Sequence, residues 1–232
     1  LFVLRDREEA GRLLAERLGA YRDDPNAMIL ALPRGGVAVG YTLSLALRLP
    51  LDVLIVRKLG APGNPEYAVG ALAEGRALYL NQEGMGALGL RREDLDKPIR
   101  VQEEEIVRRQ ALYRGGRALP QMAGQTIVLV DDGIATGSTF FACIEAVKKL
   151  KPDRLAAAIP VGPRETLLRV QREVDEVVCL MTPEPFFAVG NHYEEFAQVE
   201  DAAVVRYLEK AAAALREGAR DARVTGSNRN HS

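Results

Sequence analysis

Tryptophan is absent from this chain of 232 residues, and cysteine and histidine occur only twice each. Two Cys and two His so far apart, with no Cys-x-x-Cys pair, exclude a zinc ligand set. Cys143 and Cys179 each lie inside an apolar segment, which reads as small buried hydrophobes in a reducing compartment. An excess of one charge sign is missing too. With 31 Lys+Arg against 32 Asp+Glu, the formal net charge is -1, so no global field draws nucleic acid or an anionic membrane. No apolar run approaches the roughly 20 residues that cross a bilayer. Leu1-Phe2-Val3-Leu4-Arg5-Asp6 lacks the long apolar core of a signal peptide. Cytoplasmic residence is the expectation. No internal repeat is present, and no helix-turn-helix pattern supports a DNA-binding role.

What is present is an alternation of short apolar runs with helical patterns. Asp6-Arg7-Glu8-Glu9 is a capping box, and the spacing predicts a helix over 7–20. Ala27 to Leu32 is a continuous apolar run, as for a strand buried on both faces. Helix 37–49 and strand 51–56 complete a βαβ unit. Residues 59–67 contain Gly60, Pro62, Gly63 and Pro65, which predicts a long mobile loop. A β-hairpin over 68–72 and 76–80 follows, turning at Glu74-Gly75, and then an irregular stretch to Leu90. The charge-rich helix 91–117 has one apolar stripe and a solvated, mixed-charge face. Strands at 126–131, 154–160 and 175–181 alternate with helices at 137–150 and 163–173. A terminal helix runs over 202–217, and the polar residues 218–232 read as a disordered tail. The fold class is α/β: a doubly wound, mostly parallel sheet. Three strand ends carry unusual chemistry and should share one crevice: Leu32 before Pro33-Arg34-Gly35-Gly36, Val56 before Arg57-Lys58, and Val130 before Asp131-Asp132.

The third end is the most informative. Ile127-Val128-Leu129-Val130 runs into Asp131-Asp132, then into Gly133-Ile134-Ala135-Thr136-Gly137-Ser138-Thr139 and a helical pattern. Gly133 and Gly137 let backbone N–H groups converge at a helix start, where partial positive charge favours an anion. Thr136, Ser138 and Thr139 add hydroxyl donors. No lysine stands in the Walker A position, so a nucleotide triphosphatase loop is excluded. Two carboxylates beside a phosphate cradle suit a ribose 5-phosphate, with vicinal hydroxyls donating to the acids. The same acids, Asp131 and Asp132, could hold Mg²⁺ directly or through water. The plainer alternative is that Asp132 merely caps the helix.

This stretch, Val130 to Thr139, resembles the 5-phosphoribosyl 1-pyrophosphate (PRPP) signature of type I phosphoribosyltransferases. The resemblance in element order extends over about residues 7–208. It implies a single domain over 1–217, with a core at about 22–182 and a small hood from about 1–21 and 183–217. It implies that Asp131 and Asp132 bind the ribose hydroxyls and that Gly133 and Ala135 to Thr139 bind the 5-phosphate. Leu32-Pro33-Arg34-Gly35-Gly36 resembles the family's pyrophosphate loop, with Arg34–Gly35 the candidate for its strained, often cis, peptide. Arg57-Lys58 matches a position that contacts pyrophosphate in relatives. Arg57-Lys58-Leu59-Gly60-Ala61-Pro62-Gly63-Asn64-Pro65-Glu66 and Thr182-Pro183-Glu184-Pro185-Phe186 are similar to a bacterial subgroup known mainly as predicted phosphoribosyltransferases. Some 6-oxopurine relatives carry a third acid where Ala135 stands, so that resemblance does not extend to hypoxanthine or guanine.

The implied reaction displaces pyrophosphate from ribose C1 with a nitrogen nucleophile, a nucleobase or an amine, and depends on Mg²⁺. Arg57, Lys58 and Glu66 are the candidate catalytic residues. For Glu66 a general base and a plain loop charge both stand. Arg34, Gly35, Gly36 and Lys58 are the pyrophosphate candidates. Phe187-Ala188-Val189-Gly190 weakly resembles the stretch on which purine relatives stack a base, so Phe187 is either a base platform or core packing. His192 reads as a surface histidine rather than a catalytic one. Relatives are usually homodimers. The alternative function is a PRPP- or nucleotide-sensing regulator that keeps the fold without transfer.

Overall fold

A computed structural model describes residues 3–227, the side chains of Glu66 and of 219–227 excepted. In chain order the elements are α1 (Arg7–Arg17), β1 (Ala27–Ala31), α2 (Gly35–Leu47), β2 (Leu51–Val53), β3 (Val56–Ala61), β4 (Asn64–Ala73), β5 (Ala77–Leu80), α3 (Gln82–Ala87) and α4 (Asp96–Arg114). Then follow β6 (Thr126–Val130), α5 (Ser138–Lys149), β7 (Arg154–Val161), α6 (Arg164–Gln171), β8 (Glu176–Met181) and α7 (Asp201–Ser227). Five strands form a parallel sheet in the order β2-β1-β6-β7-β8, and β3-β4-β5 form a separate antiparallel sheet.

The apolar runs behave as strands with two buried faces. Ile29 and Ala31 face one core with Val128 and Val130. Met28 and Leu30 face a second core with Ile127, Leu129 and the buried face of α5. Local signals start and stop the helices. Asp6 accepts from the Glu9 amide at 2.8 Å to open α1. Gly115, at φ 59, closes α4 in the left-handed region.

Four sequence expectations are corrected. First, β2 ends at Val53 rather than at 56. Buried Glu74 turns the chain out of the parallel sheet: its carboxylate accepts from the Ile55 amide at 3.0 Å, and its own amide donates to Ile55 O at 2.9 Å. Arg57-Lys58 therefore lie inside an antiparallel strand, not at a parallel strand's end. Second, 59–67 is not a long loop but the closed end of the β3–β4 hairpin, turning at Pro62-Gly63 with Gly63 at φ 79. Its glycines and prolines mark the turn and the register shifts around Gly60 rather than a break in structure. Third, 81–90 contains α3, capped by Asn81 Oδ1 from the Gly84 amide at 3.1 Å. Fourth, the expected disordered tail is helical over 218–227 as a continuation of α7. The run Ala211-Ala212-Ala213-Ala214-Leu215-Arg216-Glu217 that leads into it is rich in strong helix formers. Residues 228–232 of that expectation, and residues 1–2 of the expected hood, lie outside the described residues.

The entry to α1 meets the segment after β8. Leu4 N donates to His192 O at 3.0 Å, while Glu194 N and Glu195 N donate to Leu4 O and Arg5 O at 2.8 Å each. This ties the entry to α1 to the segment after β8, above the carboxyl ends of β1 and β6. No described helix is long and apolar enough to cross a membrane.

Candidate functional site

β1 and β6 are parallel neighbours, so their exits lie side by side, joined by the Leu32 amide donating to Val130 O at 2.9 Å. Pro33–Arg34 is a cis peptide. The expected position was Arg34–Gly35. Arg34 already has helical φ/ψ as the cap of α2, and Gly35 is that helix's first residue, so the bond between them must be trans to enter the helix. Gly35 and Gly36 pack directly on the two acids. A Cβ on Gly35 would collide with the Asp132 carboxylate. One on Gly36 would lie 2.8 Å from Val130 O and 3.1 Å from Asp131 Oδ1. The two loops interlock with no side chain from 35 or 36 between them.

The acids have different surroundings. Asp132 is gripped by Arg7, whose Nε donates to Oδ2 at 2.8 Å. The Arg7 guanidinium also donates to Ala197 O at 2.9 Å and lies 3.9 Å over the Phe196 ring. Tyr193 OH donates to Asp132 O at 2.6 Å. Asp131 Oδ1 accepts from the Asp132 amide at 2.9 Å. Burial, and then the neighbouring Asp132 charge, push the Asp131 carboxyl well above the usual carboxylate range.

Beyond the acids the chain turns with Gly133 at φ 155, where a Cβ would collide with Val189. Gly137, at φ 77, caps α5, and a Cβ there would press on Phe141 and Thr166 at 2.9 Å. These contacts draw 133–139 into a tight turn at the α5 N-terminus. Thr136 Oγ1 and Ser138 Oγ stand 3.3 Å apart, and Thr166 Oγ1 donates to Ala135 O at 2.8 Å. Buried Phe140 and Phe141 fix the first turn of α5 against its core.

Bordered by Asp131 and Thr139 lies a cleft of about 300 Å³. Leu32, Pro33 and Val56 form its apolar wall, and Arg57, Lys58, Arg109, Asp131 and Thr139 its polar one. Arg57 Nε donates to Gln102 Oε1 at 2.9 Å. Burial first, and then the nearby Arg109, depress the Arg57 pKa. Arg34 is directed elsewhere: its Nη1 is 3.8 Å from Glu200 Oε2 and 3.9 Å from Asp201 Oδ1. The Glu66 backbone lies in β4, and its side chain is outside the described ones. Phe187 is 78 % exposed, which rules out core packing. It precedes Val189, which packs on Gly133. His192, expected at the surface, is only 7 % exposed and stacks on Phe186 with ring centroids 5.5 Å apart. The backbone ties between 192–195 and the chain's start cover it.

The structure therefore brings together Gly35, Gly36, Arg57, Lys58, Asp131 and the 133–139 turn. It leaves Arg34 outside the cleft. Sequence reasoning missed Arg7, Tyr193, Gln102 and Arg109. Arg7 hides beside its capping aspartate, and Arg109 is spaced from Glu105 like an ordinary surface pair. For Mg²⁺, no group of three or more His, Cys, Asp or Glu forms a metal site among the described residues. Two adjacent carboxylates, one already paired with Arg7, suit an ion carried mainly by phosphate oxygens and water rather than a resident one.

The family model described as phosphoribosyl transferase domain matches residues 7–195. Two strains of Mycobacterium tuberculosis have proteins named "Putative phosphoribosyl transferase MT0597" and "Putative phosphoribosyl transferase Rv0571c". Each is 42% identical to this chain over 206 residues, covering 89% of this chain and 46% of the relative. The chain thus spans about half the length of these curated relatives. The crystal structure of TT1426 from Thermus thermophilus matches with a TM-score of 0.75 at 38% identity, over 89% of this chain and 98% of that one.

Proposed function

The chain belongs to the phosphoribosyl transferase family, and from that premise we propose that it uses PRPP as donor and displaces pyrophosphate at ribose C1 with a nitrogen nucleophile. One observation carries the reading: the interlock of Gly35-Gly36 with Asp131-Asp132. On one side of the acids is a helix-start turn suited to a phosphate monoester. Bordering Asp131 and Thr139 is a cleft with three cations. PRPP has that layout: a 5-phosphate, a diol in the middle and a diphosphate at C1.

In this reading Asp131 and Asp132 accept from the ribose 2- and 3-hydroxyls. Gly133, Ala135, Thr136, Gly137, Ser138 and Thr139 hold the 5-phosphate with backbone N–H groups and hydroxyls. Arg7 holds the Asp132 carboxylate in place. The Gly35-Gly36 backbone, Arg57 and Lys58 receive the diphosphate. Arg34 is turned toward Glu200 and Asp201, so the leaving-group task falls on Arg57 and Lys58 rather than on it. Phe187 is the proposed platform for the acceptor's ring, and Glu66 the proposed general base. Asp131 and Asp132 are the residues that would hold Mg²⁺, and the ion would supply charge neutralisation of the leaving group. The protein's own part is electrostatic. Positive charge develops at C1 as the leaving group takes up negative charge, and preorganised cations on the departing side favour that separation. The reading places the chain in the cytoplasm, a reducing compartment suited to its two free cysteines.

The test is pyrophosphate release from PRPP, Mg²⁺ and a panel of nucleobases and amines. Release with one acceptor, lost on Lys58→Ala, is the expected result. The Asp131→Asn/Asp132→Asn double variant should lose PRPP affinity, and unchanged affinity would sink the assignment of the acids. Tight PRPP binding with no release for any acceptor would make the chain a sensor.

A further inference from the structure

Helix α4 has the charge pattern of a solvated surface helix, yet one polar stripe of it faces β3. Gln102, Glu105 and Arg109 are spaced i, i+3, i+7, so they share a face. Gln102 accepts from Arg57 Nε at 2.9 Å. Arg109 reaches the same cleft as Arg57, Lys58 and Asp131. Its side chain is only 13% exposed. Glu105 holds it by one atom, Nε to Oε1 at 2.7 Å, and is itself bracketed by Arg108 at 2.7 and 3.0 Å. Among the described residues the two terminal nitrogens of Arg109 take no hydrogen bond. A guanidinium fixed through Nε, with its outer fork unused, is preorganised for a bidentate oxyanion.

The charges point the same way. Three cations, Arg57, Lys58 and Arg109, line a cleft that holds one carboxylate, Asp131. Like charges gathered in a partly buried concavity favour an anion of more than one charge. We propose that Arg109 is a third cationic contact to the diphosphate leaving group, positioned by Glu105, and that it does not serve the 5-phosphate. This rests on the PRPP reading of the site and adds a residue from α4, the helix whose Gln102 also holds Arg57.

The experiment is calorimetric titration of the full chain, in Mg²⁺ buffer, with inorganic pyrophosphate and separately with ribose 5-phosphate. Losing a charge-assisted hydrogen bond should weaken pyrophosphate binding by about tenfold or more in Arg109→Gln. Ribose 5-phosphate binding should stay as in the wild type. Arg109→Lys should recover part of the loss, since it keeps the charge without the fork. Undiminished pyrophosphate binding by Arg109→Gln overturns the proposal and leaves the PRPP reading standing. Equal loss of both ligands also overturns it, because Arg109 would then only hold the fold together. If the wild type binds neither ligand, the PRPP reading itself fails.

Discussion

Gly35 has the least room for change in the site. Its missing side chain lets the Asp132 carboxylate lie against the start of α2, while Arg7 grips the same carboxylate from α1. A methyl group at 35 would push Asp132 off both contacts. Gly35→Ala should lower the proposed phosphoribosyl transfer by about 100-fold, as expected when a positioning group is displaced by roughly 1 Å. The far-ultraviolet spectrum should be unchanged. Wild-type kinetics in Gly35→Ala would show that the interlock has no bearing on turnover. Asp131, Asp132 and the two glycines were legible in the sequence because each loop is contiguous and its chemistry is local. Arg7 was not. Its carboxylate partner is 125 residues away, and nothing near Arg7 in sequence signals an unpaired acid elsewhere.

Helix α4 shows how a pattern can be right in period and misread in face. Of the expected apolar stripe Leu95, Ile99, Ile106, Val107, Ala111 and Leu112, the first three are buried, whereas Val107, Ala111 and Leu112 are exposed and Tyr113 is buried instead. The adjacent polar stripe is not simply solvated, because β3 crosses it after Glu74 turns the chain out of the parallel sheet. The Glu105 carboxyl is held at about 2 by hydrogen bonds from Arg108 and then Arg109, against an ordinary value of 4.5. A carboxylate with a depressed pKa adds stability that is fully present above about pH 4.5 and is lost as the pH falls toward 2. Glu105→Gln should therefore melt below the wild type at neutral pH, and the gap should close between those two values. Thermal melts across that range check it. A gap that does not narrow on acidification would mean that the ion pairs add nothing to stability. The β3–β4 hairpin was hidden for a different reason. Glycine and proline mark both loops and bulged hairpins, and only the cross-strand register separates the two.

A buried ion pair ties α4 to the antiparallel sheet. Arg114, at the end of α4, meets Glu74 between β4 and β5, and both are at most 3% exposed. Gln110 also donates to Glu74, at 2.8 Å. Replacing Arg114 with Met leaves Glu74 charged and buried with only neutral donors. Breaking such a pair from one side costs about 3–5 kcal/mol. Urea denaturation should show that loss for Arg114→Met, with a smaller loss for the Arg114→Met/Glu74→Gln double variant. Equal losses would mean that no uncompensated charge is involved. This joint also fixes where β3 lies, and so where Arg57 and Lys58 stand relative to Asp131.

The alternation of the parallel strands with their helices, the two-faced burial of those strands and the 131–139 turn could be read from the chain, because period, caps and glycine placement act over a few residues. A phosphate cradle at a helix start is itself local: its donors are successive backbone N–H groups of one turn. The cation side of the site is different in kind. Arg7, Arg57, Lys58 and Arg109 come from three elements, and which of them face Asp131 and Asp132 depends on where the chain leaves the parallel sheet and on how its start pairs with 192–195. Long-range Coulomb partners leave no spacing signature, since the separation that matters is in ångströms and not in residues.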